Sequence, residues 1–325
     1  MPRRGSLAAV AHALLDPEVV HAVRRAACEH RGRPWTAAGF ADRSHRASHP
    51  CGVFTGTPFS VFAKLDASPA GQEQLTAELN GSRLIRARTT VATPVPVAAG
   101  VVVTGAGTLL LTEAVAERGA ASGQAADSRT PQDYAAIGRA LARLHEARGE
   151  RFGLAEFDGF FGPLPQCNQP DGLDTWAGFY AERRVLPLLR LAVDSGHLPA
   201  ELAHGTERVV ARLTALCGPD PVPSLLHGDA QQNNFISTAA GAVVIDTAPY
   251  YGHPEIDLAL VDYFAPADPA LLREYARLAP VDPGFAGRRE LWRLHAYLAV
   301  VAVDGANPFG SSFLPRIAAA LRQYA

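Results

Sequence analysis

The sequence predicts an α+β protein in two parts, a small antiparallel sheet with an accompanying helix followed by a larger, mainly helical region. Three observations carry this reading. Residues 35–65 hold short runs rich in aromatic and β-branched residues separated by turn residues, the pattern of a strand meander. From residue 131 onward apolar residues recur at helical spacing. Between helical stretches of that second region, two short apolar runs, 224–226 and 243–245, flank a polar loop. With 325 residues, 48% of them hydrophobic, and a net charge of −2, the chain can build one bilobed enzyme or two modest domains around real cores.

Composition narrows the function classes. A near-neutral chain lacks the concentrated basic surface that nucleic acid or an anionic membrane requires, so neither is expected as a partner. There is no apolar run of membrane-spanning length, and the opening Met1-Pro2-Arg3-Arg4 leads into a stretch interrupted by His12, which argues against a secretory signal and for the cytoplasm. Cys28, Cys51, Cys167 and Cys217 lie far apart, which fits neither a structural zinc site nor a disulfide scaffold. A monomer is expected. Of thirty Lys plus Arg residues only Lys64 is lysine. A position that stays lysine in so arginine-biased a chain is a candidate for chemistry that needs a compact point charge instead of a planar fork.

Taken in order, residues 6–30 read as one or two helices, with Leu7, Val10, Ala11 and Leu14 on one stripe and Val19, Val20, Val23 and Ala26 on another. Strands are expected over residues 35–40, 52–55 and 58–65, the last carrying Lys64. A helix over residues 70–86 carries Glu73 and Glu78, and further strands are expected at 101–103 and 109–111 around a Gly105-Ala106-Gly107 turn. After Thr112 the composition turns small and polar. The expected organisation is therefore a first lobe over residues 1–112, a hinge and linker over 113–130, and a second lobe over 131–325. Within that second lobe helices are expected at 131–148, around Trp176, Phe179 and Tyr180, at 202–216, and through 269–324 with a Trp292, His295, Tyr297 and Leu298 face. Trp176 and Phe179, at i and i+3, read as core.

The chemistry centres on residues 225–246. Asp229, Asn234 five residues on, and Asp246 twelve beyond that converge if the chain doubles back through Thr238 to Gly241. Oxygens from Asn234 and Asp246 suit a hard divalent cation, leaving Asp229 to face a hydroxyl. Singly, an aspartate near a strand end is more often a cap or turn residue; the spacing of all three is what selects the functional reading.

His227-Gly228-Asp229 with Asn234 and the Ile245-Asp246 strand end resembles the catalytic loop of the aminoglycoside phosphotransferase and fructosamine kinase superfamily. Tyr250-Tyr251-Gly252-His253 leading to Asp257-Leu258-Ala259 resembles the fructosamine kinase branch in particular, as does the block from Phe152 to Gly162. The resemblance implies a bilobed protein-kinase-like fold and ATP- and Mg2+-dependent transfer to a hydroxyl of a small sugar-containing acceptor. It also implies roles. Asp229 positions or deprotonates the acceptor hydroxyl, Asn234 and Asp246 hold magnesium, and Asp257 braces the loop. Lys64 binds the nucleotide phosphates with Glu78 as its partner, and the backbone from Glu113 to Val115 faces the adenine. The stretch 41–49 stands where relatives place glycines over the phosphates; Ser44, Arg43 or Arg46 could act there, or the stretch is a plain surface turn.

The family usually has a tryptophan two residues after the catalytic aspartate, where this chain has Gln231. Gln231 is therefore expected to meet the acceptor, and an antibiotic O-phosphotransferase acting on an aminoglycoside or aminonucleoside is the alternative to a fructosamine-kinase-like enzyme. Two further classes are weighed: a metal-dependent hydrolase with His227 and Asp229 as ligands fits the loop in isolation but leaves Lys64 and the strands ahead of it unexplained, and a nucleotide-binding pseudokinase with a scaffolding role sits poorly with the presence of Lys64, Asp229, Asn234 and Asp246 together.

Overall fold

The computed structural model describes residues 12–118 and 129–324; Leu7, Val10 and Ala11 of the first predicted stripe and residues 119–128 of the predicted linker lie outside them. By packing, the chain forms two compact units, Met1–Leu79 with Pro94–Ala116, and Asn80–Thr93 with Glu117–Ala325.

The first unit opens with α1 (Pro17–Arg31). Its start is fixed by the Asp16 side chain, which accepts from the Glu18 N–H, and by a proline at the first helical position; Gly32 ends it in the left-handed region at φ 62°. Five strands follow, β1 (Ala37–Asp42), β2 (Cys51–Gly56), β3 (Val61–Asp66), β4 (Val102–Thr104) and β5 (Gly107–Glu113), in the order β1-β2-β3-β5-β4 with every pairing antiparallel. The first strand begins at Ala37, two residues later than the sequence suggests. Trp35 is instead buried ahead of the strand, its indole N–H donating to the Phe59 carbonyl at 2.8 Å.

Period-two alternation sorts the strand residues between two faces. Phe54, Val61, Ala63, Leu65, Leu109 and Leu111 pack with Val19, Val23 and Ala26 of α1. Leu110 points the other way, onto Leu75 and Leu79 of α2 (Gly71–Arg88). Lys64 is the cross-strand partner of Leu110, and directly opposed residues share a face, so the sheet register alone turns Lys64 toward α2.

The second unit takes the later part of α2, including Ile85, together with Val91, into its core. Ala92 makes a parallel bridge to Val243 there. α3 (Pro131–His145) is opened by a reciprocal capping box between Thr130 and Asp133. A short hairpin, β6 (Gly159–Phe161) and β7 (Leu164–Gln166), precedes α4 (Trp176–Tyr180), which runs through a π-helical turn at Ala181–Val185 into α5 (Leu186–Asp194). The single helix expected over 202–216 is two, α6 (Ala200–Val210) and α7 (Leu213–Leu216). Arg212 breaks it, leaving helical geometry at φ −106°, ψ 2° while its guanidinium donates to the Tyr324 carbonyl.

The remaining elements are β8 (Ser224–Leu225), the hairpin of β9 (Phe235–Thr238) and β10 (Gly241–Val244), β11 (Tyr251–Gly252), and helices α8 (Glu255–Leu260), α9 (Ala270–Leu278), α10 (Phe285–Asp304), α11 (Pro308–Ser311) and α12 (Leu314–Tyr324). α10 carries Leu291, Trp292, Leu294, Leu298 and Val301 into the core, where Trp176, Phe179 and Tyr180 are fully buried against one another and Trp292. Gly138 lets α3 approach α9 so closely that a Cβ there would lie 2.2 Å from the Leu271 carbonyl oxygen. At that separation any side chain forces the helices apart.

Candidate active site

In the second unit the site is a loop between two short strands, and its shape follows from how those strands are held. β8 pairs with β11 through Leu225 and Tyr251, and the Leu226 N–H donates to the Tyr250 carbonyl. Gly228 follows at φ +84°, where a Cβ would sit 1.9 Å from the Ala248 carbonyl oxygen, so only glycine permits the turn. The fully buried Asp257 then fastens the loop. Its Oδ2 accepts the His227 N–H at 2.6 Å and its Oδ1 the Gly228 N–H at 3.1 Å, while His145 Nε2 lies 3.0 Å from Oδ2 and the other His145 ring nitrogen meets Tyr275. Consecutive backbone donors on one carboxylate leave the loop little freedom.

Asp229 projects from this loop half-buried. Its Oδ2 accepts from Gln231 Nε2 at 3.2 Å and Asn234 Nδ2 at 3.0 Å, whereas Oδ1 is buried with no hydrogen-bond partner. Burial pushes its carboxyl up to about 6; the negative charges of Asp246 and Asp257 act in the same sense and the two amides oppose them. Asn234 spends its amide nitrogen on Asp229, also reaching that residue's carbonyl at 2.8 Å, so its side-chain oxygen is the atom left to hold a cation. The β9–β10 hairpin doubles back at Thr238 and Gly241, and the Ile245 N–H donates to the Asn234 carbonyl, which returns the chain to the loop just before Asp246. Asp246 has φ 51°, left-handed for a residue with a side chain, a conformation costing on the order of 1–3 kcal/mol that persists where surroundings impose it.

Gln232, which no sequence signal singled out, is the loop's second anchor. Its Nε2 donates to the Ala265 carbonyl at 2.7 Å and its Oε1 accepts from Tyr134 of α3 at 2.9 Å. Ala265 belongs to the lining of a cleft of about 420 Å³, with Asp262, Tyr263, Phe264, Glu290 and Tyr297 among its other walls. These residues are far apart in sequence and meet only after α8, α10 and α12 pack, so periodicity could not have found them. His227 is fully buried, its Nδ1 accepts from the Asp229 N–H and its Nε2 has no hydrogen-bond partner; among the described residues no three His, Cys, Asp or Glu side chains gather to hold a metal, as a hydrolase site of that type would require.

In the first unit, Lys64 and Glu78 are in contact: Lys64 is buried and its Nζ lies 2.8 Å from Glu78 Oε2. Glu73, the other glutamate of the predicted helix, is exposed. The Glu113 N–H donates to the Val95 carbonyl and the Ala114 N–H to the Ser60 carbonyl, and the irregular stretch that holds Val115 begins at Ala114. The Glu113 side chain turns to α1, 2.9 Å from His30 Nε2 and 2.5 Å from Arg31. Hydrogen bonds from His30 and Arg31 hold its carboxyl below the usual value despite burial. The Ser44 hydroxyl closes its own loop, donating to the Cys51 carbonyl and accepting the Cys51 N–H. The side chain of Arg46 lies outside the described residues.

The fructosamine kinase family model matches residues 21–324. The chain belongs to the fructosamine kinase family. Probable ketoamine kinases of Synechocystis and of Lactiplantibacillus plantarum are each 34% identical to it, over 191 and 194 residues, covering 58% of this chain in both cases and 60% and 65% of the relatives. The chain thus spans about three fifths of the length of the curated relatives it matches. Among solved structures, a candidate fructosamine-3-kinase from Thermobifida fusca is 32% identical with a TM-score of 0.77, covering 92% of this chain and 98% of that one. An aminoglycoside phosphotransferase solved in a ternary complex with ADP and hygromycin B, at 15% identity, has a TM-score of 0.60 over 94% of this chain and 99% of its own. That likeness concerns the fold, which in this fructosamine kinase family member is kinase-like: a five-stranded antiparallel sheet with a helix in the first unit and a largely helical second unit.

Proposed function

We propose that the chain transfers the γ-phosphoryl group of ATP to a hydroxyl of a small, sugar-containing acceptor of the ketoamine type. The observation that carries the reading is the carboxylate of Asp229, held by a loop fastened to Asp257, with one oxygen occupied by two amides and the other buried without a partner. A carboxylate oxygen so placed suits an alcohol that must be aligned and then relieved of its proton. Membership of the fructosamine kinase family and the Lys64–Glu78 pair support the nucleotide half of the reaction.

In this reading Lys64, steadied by Glu78, neutralises nucleotide phosphates, and the backbone from Glu113 to Val115 receives the adenine. The Asn234 side-chain oxygen and the Asp246 carboxylate are hard donors, few enough for magnesium, which keeps phosphate and water ligands alongside one or two from protein. Bound there, magnesium would neutralise charge on the phosphates. Asp229 orients the acceptor hydroxyl and takes its proton. The 420 Å³ cleft beside Gln232 is of a size to seat part of a small acceptor.

A second acceptor class is favoured by one observation: Gln231 stands where the resembled loop carries a tryptophan, so a carboxamide replaces an aromatic platform. An antibiotic O-phosphotransferase is that alternative. Magnesium-dependent ATP consumption, measured against free and protein-bound fructosamines beside aminoglycosides and aminonucleosides, decides. Turnover with fructosamines supports the ketoamine reading, turnover with antibiotics alone transfers the assignment to the second class, and ATP binding without transfer to any acceptor would leave a pseudokinase.

A further inference from the structure

Gln231 is half-buried immediately ahead of the 3-10 turn Gln232–Asn234, in extended geometry at φ −59°, ψ 145°. Its carbonyl accepts the Asn234 N–H at 2.9 Å, so the backbone that presents both amides is a single closed turn. Gln232 pins that turn to Tyr134 on one side and to the Ala265 carbonyl on the other. From it the Gln231 and Asn234 amides converge on the same atom, Oδ2 of Asp229, at 3.2 and 3.0 Å. The other carboxylate oxygen is buried and accepts nothing.

Rotation of a carboxylate about its Cβ–Cγ bond is soft, and nothing intrinsic distinguishes its two oxygens. Hydrogen bonds must therefore decide which one faces the substrate. Asn234 gives one of its two amide N–H groups to Oδ2 and the other to the Asp229 carbonyl, so Gln231 and Asn234 are two separate donors to the same carboxylate oxygen. We propose that Gln231 is a positioning residue that, with Asn234, holds Oδ2 of Asp229 so that Oδ1 receives the proton of the acceptor hydroxyl. The inference rests on the phosphotransferase reading above. In the step, the acceptor oxygen forms its bond to the γ-phosphorus, and the bond from that phosphorus to the β–γ bridging oxygen breaks with its electron pair leaving on ADP. The hydroxyl proton passes to Oδ1. Gln231 changes no bond; it acts through Asp229.

The test is Gln231→Met, which keeps the length of the side chain and removes the donor. The expected result is a kcat lowered on the order of tenfold, with acceptor and nucleotide KM each within about twofold of wild type. Adding Gln231→Met to Asp229→Asn should lower residual transfer no further, because a residue that acts through another has nothing left to act on. Crystals of the single variant should show the Asp229 carboxylate rotated or split between two orientations. A raised acceptor KM at unchanged kcat would mean that Gln231 touches the acceptor and would overturn the proposal. So would an Asp229 that keeps its wild-type orientation. Should wild type transfer phosphate to no acceptor, the kinase reading fails on its own, and the orientation of Asp229 in the variant still decides the role of Gln231.

Discussion

Lys64 is the residue for which composition and geometry give independent arguments. It is the one lysine beside twenty-nine arginines, and it is buried on the sheet face that meets α2, against Glu78. A guanidinium is wider and planar, so Lys64→Arg is expected to lower kcat/KM by roughly tenfold or more while leaving the circular dichroism spectrum and melting curve close to wild type. Near-normal steady-state kinetics would remove Lys64 from the site. The proposed function gives Asp229 and Asp246 different roles: Asp229→Asn should bind nucleotide about as well as wild type yet lose on the order of 10²–10⁴-fold in turnover, whereas Asp246→Asn should lose the magnesium dependence of nucleotide binding. Calorimetric titration of ATP with and without magnesium checks both, and equal weakening by the two variants contradicts the division. Spacing made Asp229, Asn234 and Asp246 legible, because a strand–loop–strand pattern admits few geometries. It could not show that Gln231 turns back to Asp229, since adjacent polar side chains in a loop choose among many partners. Nor could it show that the Ser44 hydroxyl is spent on Cys51.

At the scale of elements, two contacts carry predictions. Glu113 at the end of β5 ties to His30 and Arg31 at the end of α1, and these hydrogen bonds lower its carboxyl from the ordinary 4.5. A depressed carboxyl contributes stability that is present above its unfolded value and is lost as pH falls through the folded one. The stability difference between wild type and Glu113→Gln, measured by urea unfolding, should therefore be steady above about pH 5 and shrink as pH drops below about 4.5. A difference that persists unchanged at low pH would show the tie to be independent of the charge. Gly138→Ala places a methyl 2.2 Å from the Leu271 carbonyl oxygen and should cost about 1–3 kcal/mol in the same assay as α3 and α9 are pushed apart. Strand alternation and helical periodicity foretold most of these elements because each buries one face. The break between α6 and α7 was hidden, since it depends on Arg212 reaching Tyr324, more than a hundred residues away in the chain.

For the molecule as a whole, nucleotide binding should register as stability by mass action. At a hundred times the dissociation constant, ATP with magnesium contributes about 2.7 kcal/mol to the folded state, enough to raise the melting temperature by several degrees. Chelating the metal should remove most of that shift, Asp229→Asn should retain it, and Asp246→Asn should not. Linear order and packing order differ in one respect that bears on dissection of the chain. Ile85 and Val91 belong to the hydrophobic core of the second unit, and Ala92 bridges to its hairpin, although all three precede the last two strands of the first unit's sheet. The second unit's core is thus completed by an insert from within the first unit's sequence. A fragment begun at Glu117 would carry Asp229, Asn234 and Asp246 of the candidate site and still lack buried pieces of its own interior. Such a fragment is expected to aggregate or stay partly unfolded on expression, and a peptide spanning residues 80–93 supplied in trans is the complement it would need.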